Sequence, residues 1–323
     1  MSVQPLFDVI QADLARVEQE LFSTIQTPVT RAQDISVHLV EAGGKRLRPA
    51  LYLLCARSGS EYDSVRAAAL ATGLELIHMA TLVHDDVIDN AATRRNRPTA
   101  NTCWGNHQSV LTGDYLFAKA FSTISNHFDS GVMKLLSDMV CALCEGEILQ
   151  AVGAFDPEQT EEEYQIRVAK KTADFLAVSC QLGGISAGLP KPDVQALLRY
   201  GYALGMAFQI TDDILDFTAS SEQLGKPAGN DLRQGIITLP LIYALRHSSR
   251  REELRELILK KNLDDAAVQR GLDIVHATDA MVYSYQEVNR YLAQAREALP
   301  AGVKQEVREA LLTVVDFIGA REY

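Results

Sequence analysis

The chain has 323 residues, 47% of them hydrophobic, and a formal net charge of −11, enough length and apolar content for a sizeable buried core. The acidic balance without a basic-aromatic stripe argues against nucleic acid, no run of about 20 apolar residues predicts a transmembrane helix, and Met1-Ser2-Val3-Gln4-Pro5 lacks the charge and hydrophobicity of a signal peptide. Five scattered cysteines fit reduced thiols in the cytoplasm, and Cys141-Ala142-Leu143-Cys144 has no second pair to make it a zinc or redox motif.

Hydrophobic periodicity predicts helices over about 3–24, 30–42, 47–58 and 63–91, then 106–127, 130–151, 160–187 and 192–219. Further helices follow over about 231–247, 250–259, 264–296 (broken near 275) and 301–320. No alternating strand pattern is present, so the fold is expected to be all-α. Breaks such as Gly188-Leu189-Pro190-Lys191-Pro192 and Gly225-Lys226-Pro227-Ala228-Gly229 are single turns, so residues 1–323 are expected to form one domain.

Charge is placed along these helices in a marked way. Gly43-Gly44-Lys45-Arg46-Leu47-Arg48-Pro49 sets three cations at a Gly-Gly break. The apolar run Leu76-Ile77-His78-Met79-Ala80-Thr81-Leu82-Val83-His84 leads straight into Asp85-Asp86-Val87-Ile88-Asp89, and Arg94-Arg95 follow shortly after. Lys170-Lys171-Thr172 lies in the seventh span, and Leu204 to Ile210 leads into a second D-D-x-x-D, Asp212-Asp213-Ile214-Leu215-Asp216. Lys226 adds one more cation.

Carboxylates in apolar surroundings need partners or they neutralise. Residues four apart share a helix face, so Asp85 pairs with Asp89 and Asp212 with Asp216, flanked by Asp86 and Asp213. One such motif is most simply a solvated acidic turn. Two in apolar helices imply a cation supplied from outside, and facing helices in a bundle would converge the carboxylates on one cavity. All-oxygen donors favour Mg²⁺, with Mn²⁺ served by the same set, and a diphosphate is the natural third component. Arg gives bidentate phosphate contacts and Lys a point charge, so the basic groups read as anion clamps.

These motifs together resemble the trans-isoprenyl (polyprenyl) diphosphate synthases over nearly the whole chain. The match is carried by Gly43 to Pro49, Glu75-Leu76-Ile77-His78, both acidic motifs, Arg94-Arg95, Gly113-Asp114-Tyr115-Leu116 and Glu145-Gly146-Glu147. Lys171-Thr172-Ala173, Phe208-Gln209-Ile210, Gly225-Lys226-Pro227 and Thr238-Leu239-Pro240 complete it, and within the family the chain looks most similar to the catalytic component of bacterial heptaprenyl diphosphate synthases. The resemblance implies an isoprenoid synthase helical bundle around a deep central cavity, usually a homodimer. It also implies condensation of isopentenyl diphosphate onto an allylic diphosphate such as farnesyl diphosphate, giving a medium- or long-chain all-trans product of the kind used as a quinone side chain. Metal would fall to Asp85, Asp89, Asp212 and Asp216. The resemblance assigns Arg94, Lys171, Thr172 and Gln209 to the allylic substrate, and Lys45, Arg48, His78 and Arg95 to isopentenyl diphosphate. Asp213 joins the catalytic set, and Lys226 the substrate-binding set.

His78 also fits a hydrogen-bonded core histidine; it lies about two turns before Asp85, and the resemblance tips it to ligand. His84 is expected to support a neighbouring carboxylate. Phe208 either packs in the core or shields cationic charge with its π face. No acid/base pair stands out, and in the family the released diphosphate takes the proton. Back from Asp85 along one face stand Thr81, Ala80, Ile77 and Gly73, none aromatic. From Gly73 the helix rises about 18 Å to Asp85, so a growing chain along this face is expected to become long.

Three positions depart from the family pattern: Ile236 where Lys often follows Gly235, Gly229-Asn230-Asp231 with one Asp fewer than many relatives, and Asn96 for a frequent Gly. Among other readings, a class I terpene cyclase is disfavoured by the intact second D-D-x-x-D, and a non-catalytic subunit by the presence of every motif. The sequence does not separate a self-sufficient homodimer from a catalytic subunit that needs a small regulatory partner.

Overall fold

The computed structural model describes residues 8–218 and 229–320. Among the described residues the regular elements are helices, as expected, apart from one two-stranded ribbon with two residues in each strand. The chain divides into two compact units, one of residues 1–137, 179–195 and 300–311, the other of 138–178, 196–299 and 312–323.

In the first unit α1 (Gln11–Thr24), α2 (Thr30–Glu41) and α3 (Leu47–Ala56) precede the long α4 (Ser64–Ile88). Asp63 starts α4 by accepting from Val65 N at 2.9 Å and Arg66 N at 3.2 Å, and those bonds hold its carboxyl below the usual range. Alanines and Gly73 let neighbours approach closely, which is why α4 is apolar on nearly every side. It is the one described helix long and apolar enough to cross a membrane, but 83% of that apolar window is buried in protein.

Asp89 ends α4 and a ribbon follows, β1 (Thr93–Arg94) against β2 (Arg97–Pro98). Its two loop residues Arg95 and Asn96 have φ of 52° and 60°, the requirement of a type I′ hairpin. Asn tolerates this region better than most residues, so Asn96 preserves the turn where Gly is frequent. The ribbon and the short α5 (Ala100–Trp104) are too brief to leave a periodicity in sequence. Next comes α6 (Asn106–Ser125), packed along α4. Gly113 on α6 admits the His84 ring, which would lie 2.1 Å from a Cβ there, while Ile124 fills the notch at Gly73. Helix α7 (Ser130–Val152) then runs from this unit into the next.

In the second unit a capping box of Thr160 and Glu163 opens α8 (Glu161–Val168). A π-helical turn, Ala169–Ala173, carries that helix on into α9 (Asp174–Ser186). The turn widens the helix at Lys170-Lys171-Thr172, and glycines accommodate it. A Cβ at Gly146 would lie 2.7 Å from Lys171 N, and one at Gly205 2.5 Å from Ala173 Cα. Such single π-turns concentrate at functional sites. Gly205 belongs to α10 (Lys191–Thr218), which ends in the second acidic motif. Then come α11 (Asn230–Gln234), α12 (Leu239–His247), α13 (Arg251–Leu259), α14 (Asp265–His276), α15 (Ala280–Ala298) and α16 (Gln305–Gly319). The single helix expected over 231–247 is two, because Gly235 at φ 73° stops the first and Thr238 begins the second with Pro240 in its opening turn.

Candidate active site

The first unit gathers its charged motifs around the C-terminal part of α4. Gly43 (φ 66°), Gly44 (φ 154°) and Arg46 (φ 49°) shape the turn that leads into α3. Lys45 is exposed, while Arg48 lies in the first turn of α3 and donates from Nη1 to His78 Nε2 at 3.2 Å. The imidazole thus accepts as a neutral ring. Burial pushes its pKa well below the usual value, and Arg48, Arg95, Arg94 and Arg46 push it further. The Arg95 guanidinium rests against Gly44, 2.8 Å from where a Cβ would stand. Arg48 thus meets His78, and Arg95 meets the turn that carries Lys45.

The first acidic motif is divided in its roles. Arg94 Nε donates to Asp86 Oδ1 at 2.7 Å; the Asp86 side chain is 3% exposed. Burial raises its carboxyl above the ordinary value although Arg94 pulls it down. Asn101 donates to Asp86 O and Ala91 O, each at 3.2 Å, and Thr99 to Ala91 O at 2.6 Å, pinning the segment that carries Arg94. Asp85 is half-buried and Asp89 exposed. His84 departs from expectation. Its Nε2 donates to Val110 O on α6 at 3.0 Å and lies 3.7 Å from Asp114, so it joins two helices instead of supporting a motif carboxylate.

Ile77 and Ala80 are fully buried and Thr81 is 8% exposed. Thr81 returns its hydroxyl to His78 O at 2.8 Å. The far end of this face is not open. Ile124 Cδ1 lies 2.4 Å from the Cβ position of Gly73, so α6 closes what the α4 sequence alone leaves clear.

In the second unit a hydrogen-bond chain links the expected residues. Thr172 Oγ1 donates to Gln209 Oε1 at 2.8 Å, and Gln209 Nε2 donates to Asp213 Oδ1 at 2.8 Å. Tyr164 Oη completes it, donating to Asp213 Oδ2 at 2.7 Å. Burial pushes Asp213 up to about 6, with the Gln209 and Tyr164 bonds and Arg167 opposing and Asp212 reinforcing the rise. Lys171 pairs with Glu147 at 2.7 Å and Lys170 with Glu145 at 2.6 Å. Asp212 is half-buried. Asp216 is 1% exposed and accepts from Asp231 N at 2.9 Å, which caps α11. Lys226 lies outside the described residues.

Tyr164 carried no signal in the sequence, since its partner Asp213 stands on another helix, 49 residues on. Arg46 and Glu75 were visible only as parts of longer motifs; Glu75 is an acid inside an apolar run.

Among the described residues no three His, Cys, Asp or Glu side chains close around a metal-sized point. Asp85 and Asp89 in the first unit, and Asp212 in the second, are the motif carboxylates that solvent reaches, and carboxylate oxygens are the donors that a hard cation such as Mg²⁺ takes.

Comparison with known proteins agrees with this chemistry. A family model described as polyprenyl synthetase matches residues 29–275. A heptaprenyl diphosphate synthase component 2 of Geobacillus stearothermophilus is 42% identical over 323 residues, all of both chains. A nonaprenyl diphosphate synthase of Mycobacterium tuberculosis is 36% identical over 97% of this chain and 93% of its own. Among solved structures, a polyprenyl synthase of Caulobacter crescentus, complexed with calcium and isoprenyl diphosphate, superposes with a TM-score of 0.93 at 35% identity. It covers 100% of this chain and 98% of that one. A helical isoprenoid synthase fold with a double D-D-x-x-D defines a prenyltransferase. The chain belongs to the polyprenyl synthetase family.

Proposed function

We propose that the protein condenses isopentenyl diphosphate with an allylic diphosphate such as farnesyl diphosphate in a magnesium-dependent reaction. The product is a medium- or long-chain all-trans polyprenyl diphosphate, in the range of the heptaprenyl and nonaprenyl products that its relatives' names state. The observation that carries this reading is the clamp of the first unit, where Arg48 bonds to His78 on the helix that ends in Asp85 and Asp89, and Arg95 rests against Gly44 in the turn before Arg48.

In this reading Lys45, Arg48, His78 and Arg95 hold the diphosphate of isopentenyl diphosphate. Neutral His78 keeps the Arg48 fork aimed, because Arg48 Nη1 donates to its ring. Arg94, Lys171, Thr172, Gln209 and Lys226 serve the allylic diphosphate, with Thr172 and Gln209 oriented by the buried Asp213. Asp85, Asp89 and Asp212 would hold Mg²⁺ (Mn²⁺ suits the same oxygens), with Asp216 the least accessible of the four expected ligands. When bound, the metal neutralises charge on the departing diphosphate. The allylic C–O bond breaks, its electron pair leaving with the diphosphate. The double bond of isopentenyl diphosphate then forms the new C–C bond, and a proton is lost to the released diphosphate. Ile77, Ala80 and Thr81 border the growing chain.

The enzyme is cytoplasmic in this reading and works as a homodimer, or as a heterodimer with a small regulatory subunit. The name component 2 of the Geobacillus relative supports a second subunit. Incubating the purified chain with farnesyl diphosphate, labelled isopentenyl diphosphate and Mg²⁺, then sizing the product, tests activity, length and partner need together. No incorporation with or without a candidate partner subunit, in folded protein, sinks the proposal.

A further inference from the structure

We infer that Arg46, tied to Glu75 and Glu18, is the positioning residue of the cationic clamp, and that Lys45 and Arg48 bind isopentenyl diphosphate tightly only while this anchor is intact. The inference rests on the reading of the clamp given above.

Arg46 itself is committed to protein partners, with four of its five N–H groups in hydrogen bonds. Nε donates to Glu18 Oε1 at 2.6 Å, Nη1 to Glu75 Oε1 at 2.6 Å and Nη2 to Val40 O at 3.3 Å. Its side chain is 9% exposed. What it fixes is the chain on either side. A non-glycine residue holds the left-handed conformation only where its surroundings over-determine it, and Arg46 has φ 49°. Glu18 on α1 and Glu75 on α4 provide that constraint, and Lys45 precedes the pinned residue directly. Arg48 follows it by two positions, just as His78 follows Glu75 by three on α4. The Arg46–Glu75 and Arg48–His78 contacts are therefore two adjacent cross-links between the same two segments, one dedicated to geometry and the other to the ligand.

Glu75 has a second task. It is 3% exposed, and its Oε2 is buried with no hydrogen-bond partner. A buried carboxylate with a spare oxygen beside Arg46 and Arg95 offsets their mutual repulsion without blocking the exposed cations. The Arg95 charge is weakened by burial and supported by Glu75.

Calorimetric titration of isopentenyl diphosphate, and separately of farnesyl diphosphate with Mg²⁺, into the full chain tests the anchor without needing turnover. Glu75→Gln and Arg46→Lys keep size and leave the clamp residues in place. Each is expected to weaken isopentenyl diphosphate by about tenfold, the effect of misplacing one charge-assisted hydrogen bond, with farnesyl diphosphate changed less than about twofold. In an Arg48→Ala background Glu75→Gln should add only about threefold, the part that acts through Lys45 and Arg95. Equal weakening of both ligands, or a full further tenfold loss in the Arg48→Ala background, overturns positioning in favour of general destabilisation. Unchanged affinity in both folded variants also overturns it. Wild-type protein that binds no isopentenyl diphosphate refutes the proposed function instead, so the two failures are distinguishable.

Discussion

The two D-D-x-x-D motifs share a pattern and end helices of similar character, yet their surroundings treat them differently. In the first, the middle carboxylate Asp86 meets a guanidinium, and Asp85 and Asp89 remain accessible. In the second, the middle carboxylate Asp213 meets an amide and a phenol, and Asp216 turns inward to cap the next helix. Burial raises both carboxyls, but Asp86 is pulled back by a guanidinium in direct contact, whereas Asp213, bonded to neutral donors with Arg167 acting only through its charge, is pushed up to about 6. The first copy therefore presents two carboxylates that solvent reaches. The second offers Asp212 and spends its other acids on holding Thr172 and Gln209 and on closing the chain.

The largest effect tests whether both copies are needed. Asp85→Ala and Asp212→Ala should each reduce turnover by about a thousandfold while the far-ultraviolet circular dichroism stays that of the wild type. If Asp212→Ala retains near-normal activity while Asp85→Ala does not, the second motif is a scaffold and the comparison collapses to one functional site.

Product length comes next and probes only the first unit. Ala80→Phe should shorten the product, because an aromatic ring would stand on the face behind Asp85. Ile124→Ala should lengthen it, at a stability loss of about 3 kcal/mol for the cavity left at Gly73. Chromatographic sizing decides, and an unchanged distribution in both variants removes α4 and α6 as the channel walls.

That second variant also marks where sequence reasoning stops. Helix periods, the Gly-Gly break and the charged motifs lie along one strand of text, so the all-α fold, the gathering of Arg48 with His78 and the link of Thr172 to Gln209 were legible. Ile124 belongs to α6 and closes Gly73 on α4, a relation no single-helix reading contains. His84 was read beside the acids it precedes in sequence, whereas its ring is drawn across by the absence of a side chain at Gly113. The unit boundaries fall inside helices such as α7 and α10, so no linker composition announces them. Tyr164 on α8 reaches Asp213 on α10 across 49 residues of sequence, a contact between helices that the pattern of neither one contains.

A smaller effect sharpens the contrast between the middle carboxylates. Asp86→Asn leaves Arg94 without its anion and should cost about 1–2 kcal/mol at pH 7, the range of a charge-assisted hydrogen bond discounted for the partly exposed guanidinium. Asp213→Asn removes a charge that its buried site disfavours and should change stability by less than about 1 kcal/mol, once Gln209 turns its amide. Urea unfolding measures both. A larger loss at 213 than at 86 would mean that the phenol and amide stabilise the carboxylate as well as a guanidinium does.

The smallest effect concerns His78, which burial, reinforced by the arginines around the first motif, keeps neutral. Its folded-state pKa is depressed by burial and then by Arg48, Arg95, Arg94 and Arg46, whereas the unfolded imidazole titrates near the usual value of about 6.5. Below that value the unfolded chain takes up a proton that the folded protein refuses, so the unfolded state binds more protons and stability falls as pH is lowered. The contribution is fully present above about pH 7 and is lost progressively below about 6.5, by at most about 1 kcal/mol per pH unit for a half-buried ring. His78→Gln keeps an acceptor for Arg48 and does not titrate. The melting temperatures of variant and wild type should therefore converge, or cross in favour of the variant, as pH falls from 7.5 to 5.5 in thermal scans. Parallel curves would show that the histidine titrates alike in both states, and that the arginine cluster beside the first acidic motif does not set its charge.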